Sequence, residues 1–273
     1  VALITAPSRR AVVRPTGSVG GYLYRRPEWS VVLLIVVAWA GFALLARGPG
    51  GHGMAMGSPA PGVASSTGHL AGHRVGAAST APDWTAAAAY LRGIVMWEVM
   101  VAAMMLPATI PLVRHVAFAT RRARRQRSIA LLCLGYLLAW LPLGAVTALW
   151  HLLDLPARVV TAVATVALVS AGVWELVPMK VRALRRCHRT LPIRYSGRAA
   201  DRSALRLGLV NGQACVLACG PAMVALVVLG HPIVATLLVG MVMLLQATDR
   251  RADQWRGHVA ALGFLAACAV LAG

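Results

Sequence analysis

The chain has 273 residues, 59% of them hydrophobic and 13% charged, with a formal net charge of +19 and a mean hydropathy of +0.70. That profile excludes an ordinary soluble domain and a disordered chain and fits a polytopic membrane protein. Long apolar runs must satisfy their own backbone polar groups in lipid, so the expected class is all-α, a transmembrane helical bundle.

A spanning helix needs roughly 20 mostly apolar residues. The runs read as spans are 29–46, 91–113, 129–151, 157–179, 207–229 and 232–247, followed by a shorter run at 259–272. The expectation is therefore six to seven spans. A basic N-terminal segment, 1–28, precedes the first run. The sequence "LLARGPGGHG" after that run offers no small-x-small cleavage site, so 29–46 reads as a retained signal anchor.

Residues 47–90 form the long outer segment, and its first part, 47–83, is dominated by Gly, Pro, Ala and Ser. Such a composition predicts a loop without a core of its own. Within it, "HGMAMG" places His52, Met54 and Met56 within five residues, and His69 and His73 follow. Imidazole suits copper and thioether favours Cu(I), so these three residues form a candidate metal-capture cluster.

The next run holds "MWEVMVAAMMLP" at 96–107. Met96, Met100 and Met104 step by four and share one helix face. Glu98 lies nearly opposite that face, on the side of Met105. A carboxylate at this depth requires a wet cavity, a proton or a polar partner. Pro107 removes a backbone donor and predicts a break below the methionines. Glu175, ahead of the basic segment 180–206, has Lys180 five residues on and is expected to pair locally or snorkel.

Residues 207–229 carry Asn211, Cys215, Cys219 and Met223, again spaced by four. Two thiols and a thioether on one stripe suit Cu(I), although Cys and Met are also common packing residues. Counted at about 1.5 Å per residue, Met100 and Met104 lie level with Cys219 and Cys215 on an antiparallel span. The residue-based candidate metal set is thus Met100, Met104, Cys215, Cys219 and Met223, with His52, Met54 and Met56 outside.

Topology follows from charge. With a cytoplasmic N-terminus, the segments 1–28, 114–128, 180–206 and 248–258 face inward and carry 5, 6, 9 and 3 Lys/Arg, which is 23 of the 27. That is the positive-inside pattern. The basic surplus orients the chain in a lipid bilayer and is matched by anionic lipid. Nucleic acid is excluded as a partner, because the basic clusters lack interleaved aromatics and a soluble domain to present them. All basic residues but Lys180 are Arg, a bias of GC-rich bacterial genomes. The expected location is therefore a bacterial inner membrane with loop 47–90 outside. None of the five cysteines falls in the outer loop, which argues against a structural disulfide.

Four pieces in order, "MWEVMVAAMMLPATIP", "GYLLAW", "WELVPMKVRALRRCHRTLP" and the Cys215/Cys219/Met223 stretch, resemble the predicted metal-binding integral membrane proteins, a family often labelled membrane copper chaperones. The resemblance covers residues 90–247. It implies roles for Met100, Met104, Met105, Pro107, Pro111, Pro178, Lys180, Cys187, Cys215, Cys219 and Met223. The chain departs from the pattern at Ala183 and Ala218, where cysteines are usual, and in "GPA" and "HPI" after Cys219 and Gly230. The expected function is copper handling, capture or chaperoning of Cu(I) by Met, Cys and His ligands. The alternative is a structural accessory subunit packed against a membrane copper enzyme complex, a monooxygenase or oxidase. No motif proposes a reaction, so no enzymatic activity is expected.

Overall fold

The computed structural model describes residues 26–46, 84–153, 155–187, 190–248 and 252–272. The expected His52, Met54 and Met56 cluster lies outside them. Among the described residues the chain is all-α. In order the helices are α1 (Trp29–Ala46), α2 (Trp84–Met105), α3 (Ile110–Ala119), α4 (Arg125–Ala148), α5 (Ala157–Leu176), α6 (Pro178–Cys187), α7 (Gly197–Val228), α8 (Ile233–Thr248) and α9 (Ala252–Ala272). Four helical stretches are long and apolar enough to cross a membrane: Ala86–Ala119, Arg122–Ala148, Ala157–Leu176 and Gly197–Val228. The apolar parts of α1, α8 and α9 are shorter.

Prolines set the breaks. Pro107 lacks the donor that would continue α2, and the chain tightens into a 3-10 turn at Leu106–Thr109 before α3 begins. The Thr109 hydroxyl donates to the Leu106 carbonyl at 2.7 Å, satisfying one of the acceptors this break frees. Val177, immediately before Pro178, is held extended (φ −71°, ψ 131°), as expected for a residue preceding proline. This separates α5 from α6, which the sequence reading had treated as one span ending at 179 and a loop. The freed carbonyls at the end of α5 are capped from another helix: Arg256 of α9 donates to Glu175 O at 2.7 Å and Val177 O at 3.0 Å.

At the other end of α7 a Schellman motif closes the helix. Gly230 N–H donates to Val227 O at 3.0 Å and His231 N–H to Leu226 O at 2.9 Å, with Gly230 at φ 75°.

The bundle is organised on the α4–α7 pair, whose contact is the most extensive in the fold. It is a backbone-to-backbone contact made by glycine. A Cβ at Gly208 would lie 2.1 Å from the Leu132 carbonyl oxygen, one at Gly135 2.3 Å from Leu205 O, and one at Gly212 2.7 Å from Tyr136 O. Gly208 and Gly212 form a G-x-x-x-G step, the arrangement that lets apolar helices approach closely when lipid removes any hydrophobic drive to associate. A second seam joins α5 to α9, where a Cβ at Gly263 would lie 3.3 Å from the Gly172 Cα. Around the first seam, Trp97 of α2 lies flat on Gly144 of α4 and against Trp140, ring centroids 5.9 Å apart.

The seam makes a direct prediction. Gly208→Ala forces α4 and α7 apart and is expected to cost about 1–3 kcal/mol or more, the usual penalty of overpacking. Gly257→Ala on α9, where an added Cβ meets nothing within 4 Å, is expected to be neutral or to gain up to about 1 kcal/mol of helix propensity. Thermal unfolding of the two variants in detergent is the check.

Candidate metal centre

The α4–α7 contact fixes where the sulfur of α7 points. Cys215 and Cys219, one turn apart, are 7% and 5% exposed and face inward. The Cys215 thiol lines one cavity with Cys187 of α6, Cys219 of its own helix and Tyr136 of α4. It also donates to the Met105 thioether at 3.9 Å. These groups border a cavity of about 50 Å³, whose lining includes Met104, Met105, Tyr136, Cys187, Asn211, Cys215, Cys219 and Met243. A water needs about 10–15 Å³ measured this way, so the space has room for an ion together with a few waters.

Six sulfur atoms from four helices therefore converge on one small volume. Three oxygen-bearing side chains, Thr109, Tyr136 and Asn211, join them. Tyr136 is 3% exposed, and Asn211 donates its Nδ2 to Leu207 O at 3.1 Å while its buried Oδ1 has no partner. Among the described residues, no group of three or more His, Cys, Asp or Glu side chains could hold a metal ion alone. The sulfur lining of the cavity is mixed, three cysteine thiols with three methionine thioethers.

The break at Pro107 bears on one orientation. Regular helical geometry turns Met105 away from the stripe of Met100 and Met104, towards Glu98. In the structure Met105 contacts Cys215, because α2 ends there and the chain turns into the 3-10 segment. That expectation for Met105 is corrected. Glu98 does not line the cavity. It is half-buried, and its Oε1 has no hydrogen-bond partner. Of the five candidate ligands in the spans, Met104, Cys215 and Cys219 line the cavity. Met100 and Met223 are fully buried in the adjoining core and do not line it.

Next to the cavity sits a buried charge network. Lys180, 0% exposed, donates to Glu175, 4% exposed, and Gln246 of α8 donates to the other Glu175 oxygen at 3.0 Å. The ammonium and Cys219 interact electrostatically. The lone lysine of an otherwise all-Arg chain is thus a compact charge held in the interior, where a guanidinium would demand more donors' worth of partners.

A family profile described as PpoB2, copper chaperone, matches residues 94–271. The chain belongs to the PpoB2 copper chaperone family. Copper handling is what that family's description carries. No curated protein and no solved structure matches the chain. The PpoB2 match extends beyond the resemblance read over 90–247 and takes in α9. The structure gives the reason: α9 is a 21-residue helix that packs along α5 and caps it through Arg256, so it is part of the same unit.

Of the sulfur residues on the cavity, Met105 and Cys187 enter the sequence reading only through the family resemblance, and Met243 does not enter it at all. Cys187 carried a detectable signal. Lys180, Ala183 and Cys187 recur at helical spacing on α6, and the first two are buried while Arg182, Arg185 and Arg186 are exposed. Read as a loop, that segment showed no face. Met243 follows Gly240 by three residues on α8, and Met104 packs over Gly240, where an added Cβ would meet it at 3.5 Å.

The charge network also gives a test. Lys180→Met leaves the Glu175 carboxylate buried without its cation and is expected to destabilise the protein by about 3–5 kcal/mol. The double variant Lys180→Met with Glu175→Leu removes both charges and should recover most of that loss. Comparing the melting temperatures of both variants with the wild type measures it.

Proposed function

We infer that this protein is an inner-membrane copper-handling protein that holds Cu(I) in the sulfur-lined cavity between α2, α6, α7 and α8. The observation that carries the reading is the convergence of Met104, Met105, Cys187, Cys215, Cys219 and Met243 on a space of about 50 Å³. Cu(I) is a soft ion, and a mixed thiolate and thioether cage suits it better than it suits a hard ion. Cys215 and Cys219 are the thiolate ligands of this reading, and Met104 and Met105 approach from α2. Neither Met100 nor Met223 is needed for it.

Membrane location is supported by the outer surface. Leu44, Val166, Val234 and Leu265 are 65–71% exposed, and comparable side chains continue along α1, α5, α8 and α9. An apolar belt of that extent is covered by lipid rather than water. Four of the spans read from sequence fall on helical stretches long and apolar enough to cross a membrane, and the runs at α1, α8 and α9 fall on shorter apolar helices. The concentration of arginine at one end of the helices supports a cytoplasmic placement of that end.

Purified protein loaded anaerobically with Cu(I) is expected to retain close to one copper per chain after desalting, measured by elemental analysis. Cys215→Ser combined with Cys219→Ser is expected to retain less than about a tenth of that, since it removes both thiolates. A wild type that stays copper-free after loading while co-purifying with a fixed set of membrane subunits would instead assign the protein a structural role in a larger complex.

A further inference from the structure

The cavity is not equally buried on all sides. Two of its three thiols are deep, whereas Cys187 is half-exposed. Cys187 is the last residue of α6, and the half-exposed Leu184 lies one turn before it. Ala247, in the last turn of α8, is half-exposed on the same lining. The ends of these two helices share one end of the bundle with Arg182, Arg185 and Arg186, which are exposed on α6.

In the other direction the interior is closed. Continuing from the cavity towards the start of α2 and the end of α7, the side chains met are Met100 and Met223, both 0% exposed, with Trp97 and Trp140 at 1% and 0%. Two indoles and two thioethers packed at that density leave no aqueous path. Cys215 and Cys219, one turn apart on α7, line the same cavity as the half-exposed Cys187.

We propose that Cys187 is the exchange ligand of the site, passing Cu(I) between a thiol-bound carrier at the arginine-rich end and the buried Cys215/Cys219 pair. The proposal rests on the copper reading above and gives that site a direction of access. It places exchange at the end of the bundle opposite the start of α2.

The transfer is a ligand exchange with no change in oxidation state. A carrier presents copper as a bis-thiolate. The Cys187 sulfur forms a bond to copper as one carrier thiolate leaves, and the proton lost by the Cys187 thiol is taken by that leaving thiolate. A second exchange follows inside: Cys215 bonds copper as the second carrier thiolate leaves, with its proton moving outward to that sulfur. Cys219 then displaces Cys187 in the same manner and returns a proton to it. Thiols and thiolates are equal in number before and after each step.

Two measurements test this, both on the full chain in membranes, with Cys133 and Cys268 replaced by Ser so that only the three cavity thiols remain. In the first, a membrane-impermeant maleimide is applied to inside-out and right-side-out vesicles and the modified residue is identified by mass spectrometry. Cys187 is expected to be modified only in inside-out vesicles, where the arginine-rich end faces the medium, and to stay modifiable after loading with the Cu(I)–glutathione complex, because the last exchange returns it to a free thiol. Modification only from the opposite face would overturn the proposal. In the second, copper-loaded protein is mixed with an impermeant Cu(I) chelator and release is followed by absorbance. Cys187→Ser is expected to release its bound copper, followed as the fraction of the copper initially retained, at least tenfold more slowly than the parent. Release at the parent's rate would overturn the proposal. A parent that is labelled from the arginine-rich end but retains no copper would overturn both the proposal and the copper reading, and would locate the failure in the metal rather than in the opening.

Discussion

Two backbones meet directly in the seam between α4 and α7. Gly135 on α4 and Gly208 and Gly212 on α7 leave no room for a single carbon between the helices. In a bilayer, apolar surface gains little by leaving lipid, so helices associate where packing is tight enough to compensate. This seam supplies that packing, and it does so at fixed rotation and register. Once α7 is held against α4 in that way, Cys215 must face Tyr136, and Cys219 must follow one turn further on. The cavity is the space left where α2, α6 and α8 close around that face.

Each surrounding helix reaches the cavity because of a local interruption. Pro107 ends α2 and delivers Met104 and Met105 together at its last turn. Val177 and Pro178 end α5 and start α6, which swings Lys180 and Cys187 inward on one face. Gly240 on α8 makes room for Met104 while Met243 closes the lining. The donors are therefore assembled from helix ends and small residues, and the interior beyond them is ordinary tight packing of Trp97, Trp140, Met100 and Met223.

The buried Lys180–Glu175 pair gives the centre its electrostatic setting. Removing two opposite charges from water is costly, and the cost is offset here by a second donor from Gln246 on Glu175. The same carboxylate-bearing residue is tied by its carbonyl to Arg256, so α5, α6, α8 and α9 meet at one network. The pair is neutral as a whole, so it ties α5 to α6 near the cavity without adding net charge there.

Composition and hydropathy were enough to determine an all-α chain with long apolar helices, and the spacing of Cys215 and Cys219 placed two thiols on one face of α7. Charge by segment distinguished one end of the bundle from the other. These properties are local, set by periods along one helix or by residue type. Four particulars depended on the tertiary structure: that Met105 rather than Met100 meets Cys215, that Cys187 belongs to a helix and joins the thiols, that Met243 lines the same space, and that Lys180 is buried beside Cys219. Spacing within a helix fixes which residues share a face, but not which face meets a neighbour or at what rotation. Here the glycine seam between α4 and α7 and the proline breaks in α2 and before α6 decide those angles, and they act only once the helices are packed together.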